Sequence, residues 1–233
     1  MQMKCSIAQF NIELRPKGKY LAGLCKKFIS DFDTPDFLVE LSDKEILAEQ
    51  AAGSSSSYAE AVAACRKLAL MLPKKDAFLL HGATFELEGK GICFLAKSGT
   101  GKSTHMLLWK RLFGKKLKVI NGDKPIIRFE NEQPLAFGTP WCGKEGLCEN
   151  RGVPLTDICF ITRSEQNKTV PLDKGAALGR LMSQIIIPSG SENILKIMTM
   201  LDKVTENCRM WEIFCNTDLS SAQISSGKIL EVK

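Results

Sequence analysis

The chain has 233 residues, 44% of them hydrophobic and 25% charged, with a formal charge of +6. That balance excludes a disordered polyelectrolyte and fits one α/β domain with an appendage. The charge calls for no nucleic-acid partner, because the basic residues are scattered and the densest run, Lys115-Lys116-Leu117-Lys118, reads as a solvated helix end.

In chain order, the start Met1-Gln2-Met3-Lys4-Cys5-Ser6 lacks the apolar stretch of an export signal. Alternation of Phe10, Ile12 and Leu14 predicts a strand over 10–14, and Leu21, Leu24, Cys25 and Phe28 recur at helical spacing after Pro16-Lys17-Gly18. A second strand is expected over 37–41. Residues 1–75 therefore read as a small N-terminal α/β segment, either a substrate-recognition platform or a unit that completes the core. Gly53-Ser54-Ser55-Ser56-Ser57 marks a surface loop or module boundary before a helix over 58–72.

From Ala77 the texture changes to short apolar strands divided by glycine turns: 77–80, 91–95, 117–121, 125–129, 134–137 and 155–162. Only one helix, 103–113, interrupts them, so residues 76–233 are expected to build a mixed sheet rather than a doubly wound one. Helices follow over 174–187, stopped by Pro188, and over 192–207, where Ile194, Ile197, Met198, Leu201 and Val204 form an apolar stripe expected in the core. A late strand over 210–215 precedes a polar tail. No apolar run approaches the roughly 20 residues that span a bilayer, so no membrane partner is expected. Nine cysteines, an odd number without a Cys-x-x-Cys pair, suggest neither a disulfide framework nor a zinc site, and point to a cytoplasmic, reducing compartment.

The chemistry concentrates in Gly91-Ile92-Cys93-Phe94-Leu95-Ala96-Lys97-Ser98-Gly99-Thr100-Gly101-Lys102-Ser103-Thr104, a buried-type strand, a glycine turn and a helix start. In that frame the string is a Walker A P-loop. Gly99 and Gly101 permit backbone conformations in which successive N–H groups converge on phosphate oxygens, and the helix adds the positive end of its dipole. The expected nucleotide-binding residues are Ser98, Gly99, Thr100, Gly101, Lys102, Ser103 and Thr104, with Lys102 on the outer phosphates and the Ser103 hydroxyl on Mg²⁺. Ala96 stands where the general pattern has glycine, which is tolerable at negative φ.

The strand over 117–121 ends in Gly122-Asp123-Lys124, placing a carboxylate at the end of a strand expected to neighbour the P-loop strand. Asp123 is a candidate for the metal or for the acceptor hydroxyl, the plain alternative being a turn aspartate after glycine. His81-Gly82 closes what reads as the strand before the P-loop strand. His81 is either a donor or ligand near the phosphates or a packed strand-end histidine.

His81-Gly82-Ala83, Ser98 to Ser103, Asn121-Gly122-Asp123 and Glu149-Asn150-Arg151-Gly152 together resemble the HPr serine kinase/phosphorylase catalytic domain, over roughly residues 77–190. The resemblance implies a mixed β-sheet P-loop core of the HPr kinase/phosphoenolpyruvate carboxykinase type, carrying ATP and Mg²⁺. It further implies that Asp123 activates a serine hydroxyl, Glu149 assists the metal and Arg151 steadies the transferring phosphoryl group. The family's acidic pair is reduced here to one aspartate, and which carboxylate Asp123 replaces stays open. Assembly as a homo-oligomer is also implied.

Gly138-Thr139-Pro140-Trp141-Cys142-Gly143-Lys144-Glu145-Gly146 is a further glycine-punctuated loop, resembling that of small HPr-kinase-like proteins that act on peptides. In it Lys144 is a candidate phosphate contact, and Trp141 either packs or meets the acceptor. The function expected is an ATP-Mg-dependent kinase acting on a hydroxyl, with serine of a protein or peptide as acceptor. The alternatives are a P-loop ATPase or nucleotide switch, a binding module without catalysis, and a kinase of a small molecule such as free serine. A GTPase is disfavoured, since Asn167-Lys168-Thr169-Val170 lacks the final aspartate of the guanine-reading motif.

Overall fold

The computed structural model describes residues 2–97 and 99–231. It opens with a hairpin: Met3–Ile7 (β1) and Phe10–Arg15 (β2) pair antiparallel through the two-residue turn Ala8-Gln9, with φ of 52° and 61°. Such a turn matches the twist of its strands and is normally made by Asn-Gly or Asp-Gly. With neither here, nothing in the sequence announced β1. Lys19–Leu24 (α1) and a 3-10 turn over Cys25–Phe28 follow, and Phe37–Glu40 (β3) joins β2 in parallel. Asp43–Ala48 (α2), an element the periodicity did not reveal, starts on a capping box between Ser42 and Glu45. Ser56–Met71 (α3) starts on the Ser55 side chain.

The second sheet is mixed. Its strands are Ala77–Leu79 (β4), Ala83–Leu87 (β5), Lys90–Leu95 (β6), Leu117–Asn121 (β7), Ile126–Glu130 (β8), Gln133–Phe137 (β9), Gly152–Arg163 (β10), Lys168–Pro171 (β11) and Arg209–Cys215 (β12). The path runs β4-β8-β9-β10-β6-β5-β7, with β12 on β10 and β11 on β12. β10 serves two neighbours of opposite direction: residues 152–154 run antiparallel to β9 and residues 155–160 parallel to β6, with a bulge between Leu155 and Asp157. β5 and β11 were not expected. β5 is tied to β6 by the turn Glu88-Gly89, at φ of 53° and 79°.

Alternation along the central strands divides the core. Cys93, Leu95, Ile158 and Phe160 face Lys174–Met182 (α5) and Ser191–Asn207 (α6), whereas Ile92, Phe94, Cys159 and Ile161 face Lys102–Phe113 (α4) and Leu219–Glu231 (α7). Three expectations change. The helix expected over 174–187 stops at Met182, because the chain turns away to pair with the strand end: Gln184 O accepts from His81 N at 2.8 Å and Ile185 bridges Leu80. In α6, Ile197, Leu201 and Val204 are buried with Met200, but Ile194 is 46% exposed, so the stripe leaves the core in the first turn. The polar tail is α7, whose buried face is built largely of serines.

The N-terminal segment packs on the β4-β8-β9 end of the sheet, its core continuing into Ala77, Leu79, Ile126, Phe137 and Trp141. The nine cysteines are free thiols. No helix among the described residues is long and apolar enough to cross a membrane.

Candidate functional site

β6 ends at Leu95 and the chain turns into α4. Ala96 is not among the residues with positive φ, whereas Gly99 has φ of 76° and Gly101 of 120°. Among the described residues a Cβ on either glycine would meet no atom within 4 Å, so these glycines serve backbone conformation and not packing. Ser98 lies outside the described residues. The helix begins at Lys102, and its N-cap, Gly101, has no side chain to cap it. Serine or aspartate side chains cap α2, α3 and α5. The first-turn N–H groups of α4, those of Ser103 and Thr104 among them, have no partner within the helix and suit an anion.

A residue that no motif pointed to fixes this turn. Arg163 donates from Nε to Thr100 O at 2.9 Å and from Nη2 to Gly99 O. It reaches them because β10 runs parallel to β6 with Phe160 opposite Leu95, so the chain three residues on lies beside the turn. Only the sheet register reveals that proximity.

On the other flank, charges converge on one carboxylate. Lys102 Nζ donates to Asp123 Oδ1 at 3.1 Å, His81 Nε2 lies 3.2 Å from the same oxygen, and Lys124 Nζ lies 3.6 Å from Oδ2. The route differs from the expected one. β7 does not neighbour β6, since β5 lies between them, antiparallel to both, and His81-Gly82 precedes β5 rather than closing the strand before β6. Because β5 runs the opposite way, its start meets the ends of β6 and β7, where Gly82 N donates to Asp123 O at 2.9 Å. A Cβ on Gly82 would lie 2.6 Å from Cys93 Sγ, so only glycine passes there.

Asp123 stands on a buried polar pedestal. Asn121 Oδ1 accepts from the backbone N–H of Asp123 at 2.9 Å and of Lys124 at 2.6 Å, while Asn121 Nδ2 donates to Thr139 O and Oγ1. Thr139 Oγ1 in turn donates to Lys124 O at 2.7 Å. Both side chains are fully buried, and these bonds hold the turn rigid. Burial alone would raise the Asp123 carboxyl, but the hydrogen bond from His81 and the charges of Lys124 and Lys102 overcome it and hold the group well below the usual carboxylate range. Burial pushes the Lys102 ammonium down, and Asp123 opposes that shift.

Glu149 and Arg151 are placed elsewhere. Arg151 Nε donates to Glu149 Oε2 at 2.6 Å, and Arg151 Nη2 lies 2.6 Å from Glu86 Oε2, a charge contact off the hydrogen-bonding direction. Glu86 sits opposite Gly91 and Lys118, so it is four residues along β5 from Gly82, roughly 13 Å at the rise of a strand. The structure thus groups Glu149 and Arg151 with Glu86, not with Lys102 and Asp123. Trp141 is buried, donating Nε1–H to Ala61 O at 2.8 Å, and so packs against α3. Lys144 is exposed on the turn that passes Asp123, where a Cβ on Gly143 would lie 3.3 Å from Asp123 Cβ.

Among the described residues no three His, Cys, Asp or Glu side chains converge on a metal position. Ser103 and Asp123 carry the oxygens that would hold magnesium, which takes few protein ligands when phosphates and water complete its shell; Thr100 and Thr104 bring further hydroxyls to the turn. Beyond Thr100 and Thr104 lies a cavity of about 440 Å³, lined also by His105, Ile161, Arg163 and Thr217.

No family model and no curated protein matches the chain. Among solved structures, the Hpr(Ser) kinase/phosphatase from Coxiella burnetii is similar at 12% identity, over 53% of this chain and 88% of that one, with a TM-score of 0.30.

Proposed function

We propose that the protein is an ATP-Mg²⁺-dependent phosphotransferase that moves the γ-phosphoryl group to a hydroxyl, with serine of a protein or peptide as acceptor. The observation that carries this reading is the convergence of Lys102 and His81 on Asp123 Oδ1 beside an uncapped helix start. A lysine and a carboxylate that reach each other across a glycine turn are the two charges phosphoryl transfer needs: one for the phosphate oxygens, one for the metal or the attacking hydroxyl. When bound, the magnesium nucleotide supplies the phosphoryl group and neutralises part of its charge.

The chain's own contribution is positional. N–H groups of the turn and of the first turn of α4 orient the anion, and the Lys102 ammonium is drawn toward it from Asp123. As that cation moves off, Asp123 loses one of the charges that depress it and becomes a better proton acceptor. A weak base is enough, because the transition state is loose and the hydroxyl proton leaves late. His81 keeps Asp123 Oδ1 directed into the site.

The test is incubation with γ-labelled ATP and a lysate of the host, with Lys102→Ala as the blank. Label on a serine, absent with the variant, is the expected result. Release of free phosphate without a labelled acceptor would make the protein an ATPase instead, and neither product would leave a nucleotide-binding module.

A further inference from the structure

Two thiols meet beside Asp123. Cys142 and Cys148 bracket the turn 143–147, and the end of β7 draws them together. Asn121 forms an antiparallel bridge with Cys148, Gly122 N donates to Leu147 O at 3.0 Å, and Glu149 N donates to Ile120 O at 3.0 Å. On the other arm, a Cβ on Gly122 would lie 2.5 Å from Cys142 O, so that carbonyl rests on the same residue. With both arms seated on residues 120–122, the Cys142 thiol donates a hydrogen bond to the Cys148 sulfur, and the Lys27 ammonium of the N-terminal segment acts on both.

This pair is open to reagents where the other is not. Cys5 and Cys25 also touch, but each is 0% exposed and sealed in the N-terminal core. Cys148 is half-buried, with part of its surface in solution, while Cys142 is 6% exposed behind it. That is the arrangement of an attacking thiol with a resolving partner. The turn between them is built to move: Gly143 and Gly146 are left-handed, at φ of 80° and 63°, and it closes on itself through the long bond from Gly146 N to Gly143 O at 3.3 Å. It also abuts Asp123, since a Cβ on Gly143 would lie 3.3 Å from Asp123 Cβ. Other sides of Asp123 are taken by His81, Lys102 and the buried Asn121-Thr139 pedestal. Room for an acceptor hydroxyl therefore comes from this turn lifting.

We propose that Cys142 and Cys148 form a site oxidised by peroxide, and that their disulfide clamps the turn 143–147 against Asp123. The Cys148 sulfur attacks a peroxide oxygen: an S–O bond forms, the O–O bond breaks, and the departing hydroxide takes up a proton to become water. Cys142 then attacks that sulfur. The S–S bond forms, the S–O bond breaks, and the Cys142 proton leaves with the hydroxyl as water. Peroxide gains the two electrons that the thiols lose, and a dithiol reductant returns them. The effect on phosphoryl transfer rests on the role proposed above for Asp123; the disulfide and the clamp do not.

The test treats the full chain with hydrogen peroxide, blocks remaining thiols with iodoacetamide and digests it with trypsin. Lys144 lies between the two cysteines, so trypsin puts them in separate peptides, 129–144 and 145–151, which only the disulfide holds together. Mass spectrometry should find these joined after peroxide and separate after dithiothreitol. On the native chain, oxidation should slow cutting after the exposed Lys144 by at least about tenfold and lower phosphoryl transfer by a similar factor, dithiothreitol restoring both. Cys148→Ser should keep both rates through peroxide treatment.

Peptides that stay separate after peroxide overturn the proposal. Joined peptides with unchanged cutting also overturn it, as does unchanged transfer in a chain that transfers when reduced. If the reduced chain transfers no phosphoryl group, the proposed function falls, while joined peptides and slowed cutting still uphold the clamp.

Discussion

Asp123 faces three cationic or donor groups, and its neighbours decide what a substitution there does. Asp123→Asn keeps the shape and leaves Asn121 to hold the turn through backbone N–H groups. It removes the charge that competes with phosphate for Lys102. Nucleotide affinity should therefore be held or raised, while phosphoryl transfer falls by about 10²–10⁴, the usual worth of a positioned base. Titration with a fluorescent nucleotide and single-turnover transfer check the two halves separately, and transfer within about twofold of wild type would remove Asp123 from the chemistry. The glycine turn and the helix start at Lys102 were legible from residue order alone, because they are built from neighbours in sequence, whereas Asp123 meets Lys102 across an intervening strand that the sequence did not announce. The placements of Arg163 and His105 were not legible either, since each is set by a partner more than 50 residues away.

At the scale of elements, legibility followed how each one is signalled. β6, β7, β9 and α4 carry apolar runs bounded by glycine or charge and emerged near their expected places. α7 has no such pattern: Ser221, Ala222, Ser225 and Ser226 with Ile229 make its buried face, and the serine hydroxyls bond back to carbonyls three residues earlier. Small residues let α7 lie close to α4, and Ser225 then serves as the shared hydrogen-bond partner of His105 and Trp109. Ser225→Ala should thus cost more than the loss of a surface hydroxyl. It strands two buried ring nitrogens, at about 1–3 kcal/mol each, so a loss on the order of 2–6 kcal/mol is expected from chemical denaturation. A change below about 0.5 kcal/mol would mean that apolar contacts alone dock α7.

For the molecule as a whole, the sequence divided at a change of texture near residue 75, which lies in the 3-10 turn Leu72–Lys75. Composition registers such a change but cannot register which surfaces meet across it. Here the N-terminal core runs on into Leu79, Ile126, Phe137 and Trp141, Trp141 is bonded to Ala61 O, and Arg128 of β8 lies 4.0 Å from the centre of the Phe10 ring while donating to Ala8 O. Removing residues 1–75 would uncover those four large side chains, each worth roughly 1.5–3 kcal/mol when buried. The sum is comparable to the whole stability of an ordinary domain, about 5–15 kcal/mol. A fragment of residues 76–233 should therefore fail to unfold cooperatively and should show a collapsed amide spectrum, even though it retains the P-loop, His81 and Asp123. Trp141 also belongs to the loop that crosses Asp123, so loosening it would disturb the site as well as the core. A fragment that unfolds with the midpoint of the full chain would instead make residues 1–75 a separately folding unit, and their contacts with β8 and β9 an ordinary interdomain surface.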